Sequence, residues 1–245
     1  MHAGVYQVAV RKQPSGVDMP TIVLVSPKGG TGKTTSAVLL ATELAQSGAA
    51  VAVIDADPNR NISEWAAHPG CPDRLTVVSD IAEDTIIDQI EHAAATVPWV
   101  VVDLEGTASL VVSYAISMAD FVIIPLQGSH LDARQAARAI RLIENQERAI
   151  RRLIPRAVLF TRTSTAIQPR TLRHIRAELD EAGVPTFAVE IVDREAYRAI
   201  FSYGGTVAGL AEHGVSNLRS AAANARAFAA EVVERLRALP QDRVA

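Results

Sequence analysis

The chain has 245 residues and a net charge of −3, with 49% hydrophobic but only 4% aromatic residues. Its length favours one α/β domain with a large core. No apolar run approaches 18 residues, so no transmembrane helix is expected, and the single cysteine, Cys71, excludes an internal disulfide and a Cys-x-x-Cys site. Residues 1–130 carry −8 and residues 131–245 carry +5. This asymmetry predicts either a polyanion-binding surface or a solvated helical surface in the second half.

The start of the chain predicts no regular structure. MHAGVYQVAVRKQPSGVDMP lacks the apolar h-region of a signal peptide. We interpret residues 1–20 as a leader that is expected to be disordered, and residues 21–240 as a single domain. Met19, just before the first convincing strand, is a candidate natural start.

From residue 21 onward, short Val/Ile-rich runs alternate with helical periods. The strands are predicted at 21–26, 50–55, 75–79, 99–106, 121–128, 156–162 and 186–192. The helices are predicted at 32–48, 81–95, 108–118, 131–152, 168–182 and 216–238. This alternation predicts an α/β fold with a doubly wound, mostly parallel sheet flanked by helices. Ligands bind such sheets at the carboxyl ends of the strands, where the motifs described next also fall.

The stretch VSPKGGTGKTT, residues 25–35, lies between a strand and a helix and predicts a phosphate cradle. Glycines let backbone N–H groups close around phosphate oxygens, and the helix N-terminus adds partial positive charge. The chain has only three lysines against 21 arginines, and two of the three, Lys28 and Lys33, lie in this turn. Lys33 is placed to reach the β and γ phosphates, and Thr34 to ligate Mg²⁺. The predicted nucleotide-binding residues here are Gly29, Gly30, Thr31, Gly32, Lys33, Thr34 and Thr35.

The loop departs from the plain pattern, since Pro27 stands where the first glycine is usual. PKGGTGKTT resembles the deviant Walker A box of the ParA/MinD family of P-loop ATPases. That resemblance implies ATP and Mg²⁺ as cofactors and a homodimer that forms on ATP binding. It also implies that Lys28 reaches across the dimer interface to the phosphates held by the partner subunit, while Lys33 serves its own nucleotide.

Three acids follow later strands. In VIDADPNRNISEW, Asp55 and Asp57 match the family's DxDP segment, which implies a magnesium role for Asp55 and a water-positioning role for Asp57. WVVVDLEG resembles Walker B, so Asp103 is expected to bind Mg²⁺. The role of Glu105 stays open, since an acid beside a triphosphate is repelled unless it binds a cation.

The rest of the chain resembles the ParF-type plasmid partition ATPases and the border-binding ATPase of T-DNA transfer. In VLFTRTS, Arg162 follows a strand near the expected adenine site. Its side chain is predicted either to stack on the base or to pair with a nearby acid, and the sequence favours neither.

Two other branches of the family are disfavoured. One cysteine is too few for the iron–sulfur branch. The C-terminal tail places Phe228, Val232, Leu236 and Leu239 on one face, which favours a core-packing helix over a membrane anchor.

The resemblance predicts DNA contacts at Arg194, Arg198, Arg219 and Arg226. A second set of arginines lies on one helix face in residues 132–152: Arg134, Arg138, Arg141, Arg148 and Arg152. Because Glu144 and Glu147 precede Arg148 and Arg151 by four residues, ion pairs within that helix favour a solvated surface there.

Together these features predict a ParA-type DNA-partition ATPase with a weak, Mg²⁺-dependent hydrolysis of ATP to ADP and phosphate. Its expected partners are nonspecific DNA and a ParB-type centromere-binding or cargo-adaptor protein, with no membrane, and its expected location is the cytoplasm, on the nucleoid. Three alternatives stay open: the same ATPase positioning a protein cargo or acting in conjugative DNA transfer, a small-molecule ATP-dependent synthetase, and a filament former.

Overall fold

The computed structural model describes residues 19–106, 109–128, 130–164 and 169–239. Most of the predicted leader, residues 1–18, lies outside the described residues. The described strands are β1 Thr21–Leu24, β2 Val51–Ala56, β3 Leu75–Val78, β4 Trp99–Leu104, β5 Phe121–Leu126, β6 Arg156–Thr163 and β7 Ile191–Val192. All are parallel, in the order β3-β2-β4-β1-β5-β6-β7. The doubly wound fold is therefore confirmed.

Helices cover both faces of the sheet. The described α-helices are α1 Lys33–Gln46, α2 Asn61–Ala67, α3 Ile86–Thr96, α4 Leu110–Ser117, α5 His130–Ile150, α6 Arg170–Glu181, α7 Glu195–Tyr203 and α8 Leu218–Arg237, and Ala208–His213 is a 3₁₀ helix. One core cluster packs α1, α2, α7 and α8 against the sheet, and the other packs α3, α4, α5 and α6. Each face of the Val/Ile-rich strands is thus removed from water.

The C-terminal helix packs into the core, as predicted. Phe228 and Val232 are fully buried, and Leu236 and Leu239 are partly buried against the same cluster. In the described part of the chain, no helix is both long and apolar enough to cross a membrane.

The segment predicted as a strand at 186–192 is mostly irregular, because side chains of α8 take its backbone hydrogen bonds. The Glu231 carboxylate accepts from the Ala188 and Val189 amides at 2.9 and 2.8 Å. Asn224 accepts from Val192 N at 3.1 Å and donates to Glu190 O at 2.7 Å. Only two residues are left to form β7.

The sequence analysis missed two helices on the same face of the sheet. Helix α2 lies in the DxDP segment, which was recognised only as a motif, and α7 lies in a segment where no helix was predicted. They meet through Trp65, whose indole donates to Gly205 O at 3.0 Å, and through Gly204, where an added Cβ would lie 2.2 Å from His68 Cβ. Glycine is required at 204 because only hydrogen fits between the two helices.

Candidate functional site

The glycine turn joins β1 to α1 and is fixed from two neighbouring strands. Gly30 and Gly32 adopt φ values of 77° and 89°, which side-chain-bearing residues rarely take. The Gln127 side chain, after β5, donates to Gly30 O at 2.6 Å, and Thr161 of β6 donates to Thr31 O at 2.6 Å. The loop is therefore held in a fixed shape at the N-terminus of α1.

Lys33 lies inside this turn with only 5% of its surface exposed. Its ammonium group lies 3.5 Å from the carbonyl oxygen of Lys28. Burial lowers the pKa of Lys33, while Asp103, Asp57 and Glu105 act to raise it. The Lys33 ammonium group can bind an anion, but the surrounding carboxylates would repel it. A metal ion that binds with the anion would offset this repulsion.

Asp55 and Asp103 are register partners on β2 and β4. Both residues are buried, and Asp103 is completely inaccessible. The side chain and backbone N–H of Ser63 donate to Asp55 Oδ2 at 2.7 and 2.8 Å, whereas Asp55 Oδ1 and both oxygens of Asp103 have no hydrogen-bond partner among the described residues. Burial raises the pKa of Asp103 to about 7, against the opposing effects of the Lys33 charge and of the Thr34 hydroxyl, which is close but not at hydrogen-bonding geometry.

These unpaired carboxylate oxygens fit a hard cation such as Mg²⁺. Buried polar groups are nearly always hydrogen-bonded, so three unpaired carboxylate oxygens side by side favour a site that takes a cation. In the described part of the chain, no three His, Cys, Asp or Glu side chains gather into a metal cage. Two carboxylates with a hydroxyl such as that of Thr34 nevertheless suit Mg²⁺, which keeps several waters and takes further oxygens from phosphates.

Asp57 follows β2 and lies in the open cleft, partly exposed. Its Oδ1 accepts from both the backbone and side-chain nitrogens of Asn59, each at 2.9 Å. Asn59, to which the sequence analysis assigned no role, thus orients this carboxylate. Asp57 Oδ2 accepts no hydrogen bond from the described residues and is therefore available to water in the cleft.

The loop after β4 comes very close to the glycine turn. A Cβ on Gly106 would lie 3.1 Å from Gly29 N and 3.2 Å from the carbonyl carbon of Lys28. Any larger residue at 106 would push the two loops apart. Glycine at 106 therefore permits the close approach of the two loops, and Glu105 lines the cleft beside them.

These elements surround a cleft of about 550 Å³. The predicted residues that line it are Gly29, Gly30, Gly32, Lys33, Thr34, Thr35, Asp57 and Arg162. Thr31 is instead buried behind the loop, and Lys28 is exposed. Asn61, Glu64, His68 and Phe201 line the outer part of the cleft; their helices, α2 and α7, were not predicted.

A smaller groove of about 130 Å³ continues from the cleft, and Gly32, Thr35 and Arg162 line both. Its far wall is the corner between β7 and α7, including Arg194 and Tyr197. Burial raises the pKa of Tyr197 to about 12, and its hydroxyl donates to Ala221 O at 2.8 Å. This groove has a suitable position for the base of a nucleotide whose phosphates lie in the glycine turn.

The four arginines predicted to contact DNA have different surroundings. Arg194 is partly buried in the small groove, and its Nε has no hydrogen-bond partner in the described part of the chain. Arg198 is paired with Asp193, and Arg226 Nε lies 3.5 Å from Glu43. Arg219 is exposed in the first turn of α8. Their contact with DNA stays a prediction.

Four residues that support the site were missed by the sequence analysis: Asn59, Ser63, Gln127 and Thr161. Asn59 and Ser63 lie two and eight residues after the carboxylates they contact, whereas Gln127 and Thr161 bond to residues distant in sequence, which no local pattern identifies. The only available signal was their position: Gln127 and Thr161 lie at the carboxyl ends of predicted strands, where ligands bind.

A family model described as "VirC1 protein" matches residues 19–239. The chain belongs to the VirC1 family, within the ParA/MinD-type P-loop ATPases. It is 42% identical over 218 residues to "Protein ParA" of Rhizobium radiobacter, covering 89% of this chain and 98% of that protein.

Two further similarities are to a carboxysome-distribution protein and to a solved structure of McdA. The chain is 26% identical over 203 residues to "Maintenance of carboxysome distribution protein A" of Halothiobacillus neapolitanus, covering 80% of this chain and 90% of that protein. It also resembles the solved ATP complex of a McdA variant from Cyanothece, with a TM-score of 0.73, 19% identity and coverage of 89% of this chain and 98% of the other. At that identity the structural match shows the fold alone.

Proposed function

We propose that the chain is a ParA-type DNA-partition ATPase. ATP and Mg²⁺ close a nucleotide-sandwich homodimer, the dimer binds DNA nonspecifically, and a partner protein stimulates hydrolysis and so releases it. The observation that carries this proposal is the rigid glycine turn beside two buried carboxylates with unpaired oxygens. The 42% identity to a protein named ParA, over nearly the full length of that protein, supports the partition role.

Each site residue has a task in this proposal. The backbone N–H groups of the glycine turn and the Lys33 ammonium group hold the phosphates. Thr34, Asp55 and Asp103 would hold Mg²⁺, which when bound neutralises charge on the β and γ phosphates. Asp57 orients the attacking water through its free Oδ2. Arg162, on the wall shared by the cleft and the groove, packs against the base.

Lys28 has a different task from Lys33. Its side chain is exposed beside the cleft, whereas that of Lys33 is buried, so Lys28 is accessible to a second copy of the chain. In the proposed dimer it contacts the phosphates of the partner subunit. Hydrolysis then requires the dimer, which links DNA release to the nucleotide cycle.

The cellular setting follows as part of the same proposal. Residues 21–240 act as one ATPase domain after a leader at 1–20, in the cytoplasm and on the nucleoid. The partner is a ParB-type centromere-binding protein or another cargo adaptor.

The test measures dimerisation and DNA binding of the purified protein by sedimentation and by mobility shift on random-sequence duplex. Each is done without nucleotide, with ADP, with ATP and with a non-hydrolysable ATP analogue. We expect a dimer and a DNA shift only with ATP or the analogue. Lys28→Ala should bind nucleotide but lose dimerisation and hydrolysis, while Arg74→Ala, which removes an exposed cation outside the cleft, should behave as wild type.

A Lys28→Ala variant that still dimerises and hydrolyses ATP would show that the sandwich mechanism is wrong. Nucleotide binding without any DNA shift would contradict the partition role. Both results remain interpretable because ATP binding itself is measured separately, with Lys33→Ala as the variant that should lose it.

A second candidate is the same ATPase with a protein assembly as its cargo. The 26% identity to a carboxysome-distribution protein over most of both chains favours it specifically. The two cargoes are distinguished by deleting the gene in the native host. Plasmid or chromosome loss supports partition, whereas stable DNA inheritance with a mislocalised protein assembly supports the second candidate.

A further inference from the structure

Two stretches of α5 and α6 are rich in arginine and contain no acid. Residues 134–143 contain Arg134, Arg138 and Arg141, and residues 169–177 contain Arg170, Arg173 and Arg176, with no Asp or Glu in either stretch. Arg176 is used internally, since it pairs with Glu190 and stacks on Phe160. The other five are exposed, and we call them the α5–α6 arginine face.

The fold places the two stretches side by side. Both helices bury their apolar side in the same core cluster, through Ala136, Ala139 and Ile143 of α5 and Leu172, Ile175 and Leu179 of α6. Gly128, two residues before α5, lies against α6: a Cβ there would come within 2.9 Å of Leu172 Cδ1. The N-terminal halves of the helices are therefore neighbours on one face of the sheet, and the five arginines are exposed on these two helices.

The acids expected to neutralise α5 are engaged elsewhere. Glu147 Oε1 accepts from Ile154 N at 2.8 Å and from Arg156 at 2.9 Å, and Glu144 lies 3.6 Å from Arg156. The ion pairs predicted from the spacing with Arg148 and Arg151 are thus replaced by pairs with β6. Within the described residues, no carboxylate pairs with the α5–α6 arginine face.

The alternative DNA-contacting arginines are less available. Arg198 and Arg226 are paired with acids, and Arg194 lies in the small groove. Of the four predicted contacts, Arg219 is the one that is exposed and has no acidic partner among the described residues. An exposed cation without an acidic partner loses no internal interaction when it binds a phosphate. The α5–α6 arginine face is therefore a more favourable DNA-binding surface than the four arginines predicted from the sequence.

The chemistry of the face indicates a polyphosphate rather than a protein. Arginine forks pair with phosphate oxygens through two parallel hydrogen bonds. Protein interfaces have an apolar centre, yet the large exposed apolar side chains among the described residues, Leu110, Leu153 and Tyr203, lie outside both stretches. From Arg134 to Arg141 the helix rises about 10 Å, over which one strand of duplex DNA presents about three phosphates.

We propose that the α5–α6 arginine face binds the phosphate backbone of duplex DNA. The inference rests on the proposed DNA-binding function and identifies the surface that performs it. Since the contacts go to phosphates, binding is independent of base sequence and falls steeply with salt.

The experiment compares two double variants that each remove two exposed arginines. Arg138→Ala with Arg173→Ala alters the α5–α6 arginine face, and Arg219→Ala with Arg226→Ala alters α8. Binding to a random-sequence duplex is measured by fluorescence anisotropy with a non-hydrolysable ATP analogue, between 50 and 200 mM salt. Nucleotide affinity, dimerisation and Tm are measured on the same samples.

We expect the α5–α6 variant to lose at least about tenfold in DNA affinity at low salt, and its slope of log K against log salt to fall by about 2, near 0.9 per lost phosphate contact. Its nucleotide affinity and dimerisation should stay unchanged. The α8 variant should lose less than about threefold. Arg138→Lys with Arg173→Lys should keep most of the binding, since it keeps the charge.

Loss of DNA binding in the α8 variant, with normal binding by the α5–α6 variant, would overturn the inference and leave the partition role intact. Binding of polyglutamate but not DNA by the α5–α6 arginine face would overturn it in favour of an acidic protein partner. A wild-type protein that binds ATP but no DNA would contradict the proposed function itself, and this inference with it.

Discussion

The nucleotide edge of the sheet keeps buried carboxylate oxygens unpaired, whereas at the β7 edge side chains of α8 pair with backbone groups of the last segment. Beside the glycine turn, Asp103 and Asp55 keep three buried oxygens without a partner in the described part of the chain. At β7, Glu231 and Asn224 satisfy four backbone groups that a missing strand would otherwise have paired. Unpaired buried polar groups destabilise a fold, so three unpaired carboxylate oxygens at one place favour a ligand-binding site, whereas the hydrogen bonds from α8 stabilise the segment before β7.

The largest expected effect comes from Asp103→Asn. We expect ATP hydrolysis to fall by at least about 100-fold, because a ligand for Mg²⁺ is lost. Without nucleotide, the same variant should be more stable than wild type, with Tm raised by several degrees, since a neutral amide replaces a buried carboxylate whose oxygens have no hydrogen-bond partner among the described residues. Hydrolysis assays check the expected loss of activity, and thermal unfolding without nucleotide checks the expected rise in Tm.

Asp120→Asn is the matched control for Asp103→Asn. Its carboxylate is already satisfied by Thr21 N at 2.8 Å, so the variant should not gain stability and should hydrolyse ATP normally. A fall in Tm for Asp103→Asn would mean that this carboxylate contributes to the fold, and the contrast between the two edges would fail.

Glu231→Ala should show the opposite behaviour. Two backbone amides lose their acceptor, so we expect a loss of about 2 kcal/mol in the free energy of unfolding. ATP hydrolysis at saturating nucleotide should stay within about twofold of wild type, measured after denaturant titration confirms that the variant is folded. Glu234→Ala, on an exposed position of the same helix, is the control and should change neither quantity.

Ser63→Ala tests whether Asp55 is positioned by its neighbour. The variant loses the hydroxyl donor at 2.7 Å but keeps the backbone donor at 2.8 Å. We expect the Mg²⁺ concentration for half-maximal hydrolysis to rise about 10-fold, within the usual range for residues that orient metal ligands. An unchanged Mg²⁺ requirement would show that the backbone bond alone fixes Asp55.

Arg198→Ala should have the smallest effect. Its ion pair with Asp193 is exposed, with 66% and 53% of the two side chains accessible. Exposed pairs contribute little, so the free energy of unfolding should change by no more than about 0.5 kcal/mol. A loss above about 2 kcal/mol would indicate that the corner between β7 and α7 depends on this pair.

Local patterns were sufficient for the elements that are defined by short-range chemistry. The glycine turn, with Lys33 at the start of α1, follows from residues adjacent in sequence, as do the Val/Ile runs of β1, β2, β4 and β5. The fates of Glu144 and Glu147 were not predictable in this way. Their spacing predicted ion pairs with Arg148 and Arg151 within α5. In the fold, Arg156 at the start of β6 lies beside both carboxylates and forms the ion pairs instead.

The sequence by itself determined the fold class, the phosphate cradle and the three acids at strand ends, because hydrophobic periodicity and turn chemistry are local properties. Only the tertiary structure decided that Asp55 and Asp103 are register partners, that Gln127 and Thr161 hold the glycine turn, and that α8 replaces most of the last strand. It also brought α5 and α6, with their exposed arginines, together on one face of the sheet. Each of these depends on residues far apart in the chain, whose proximity is set by strand order and helix packing.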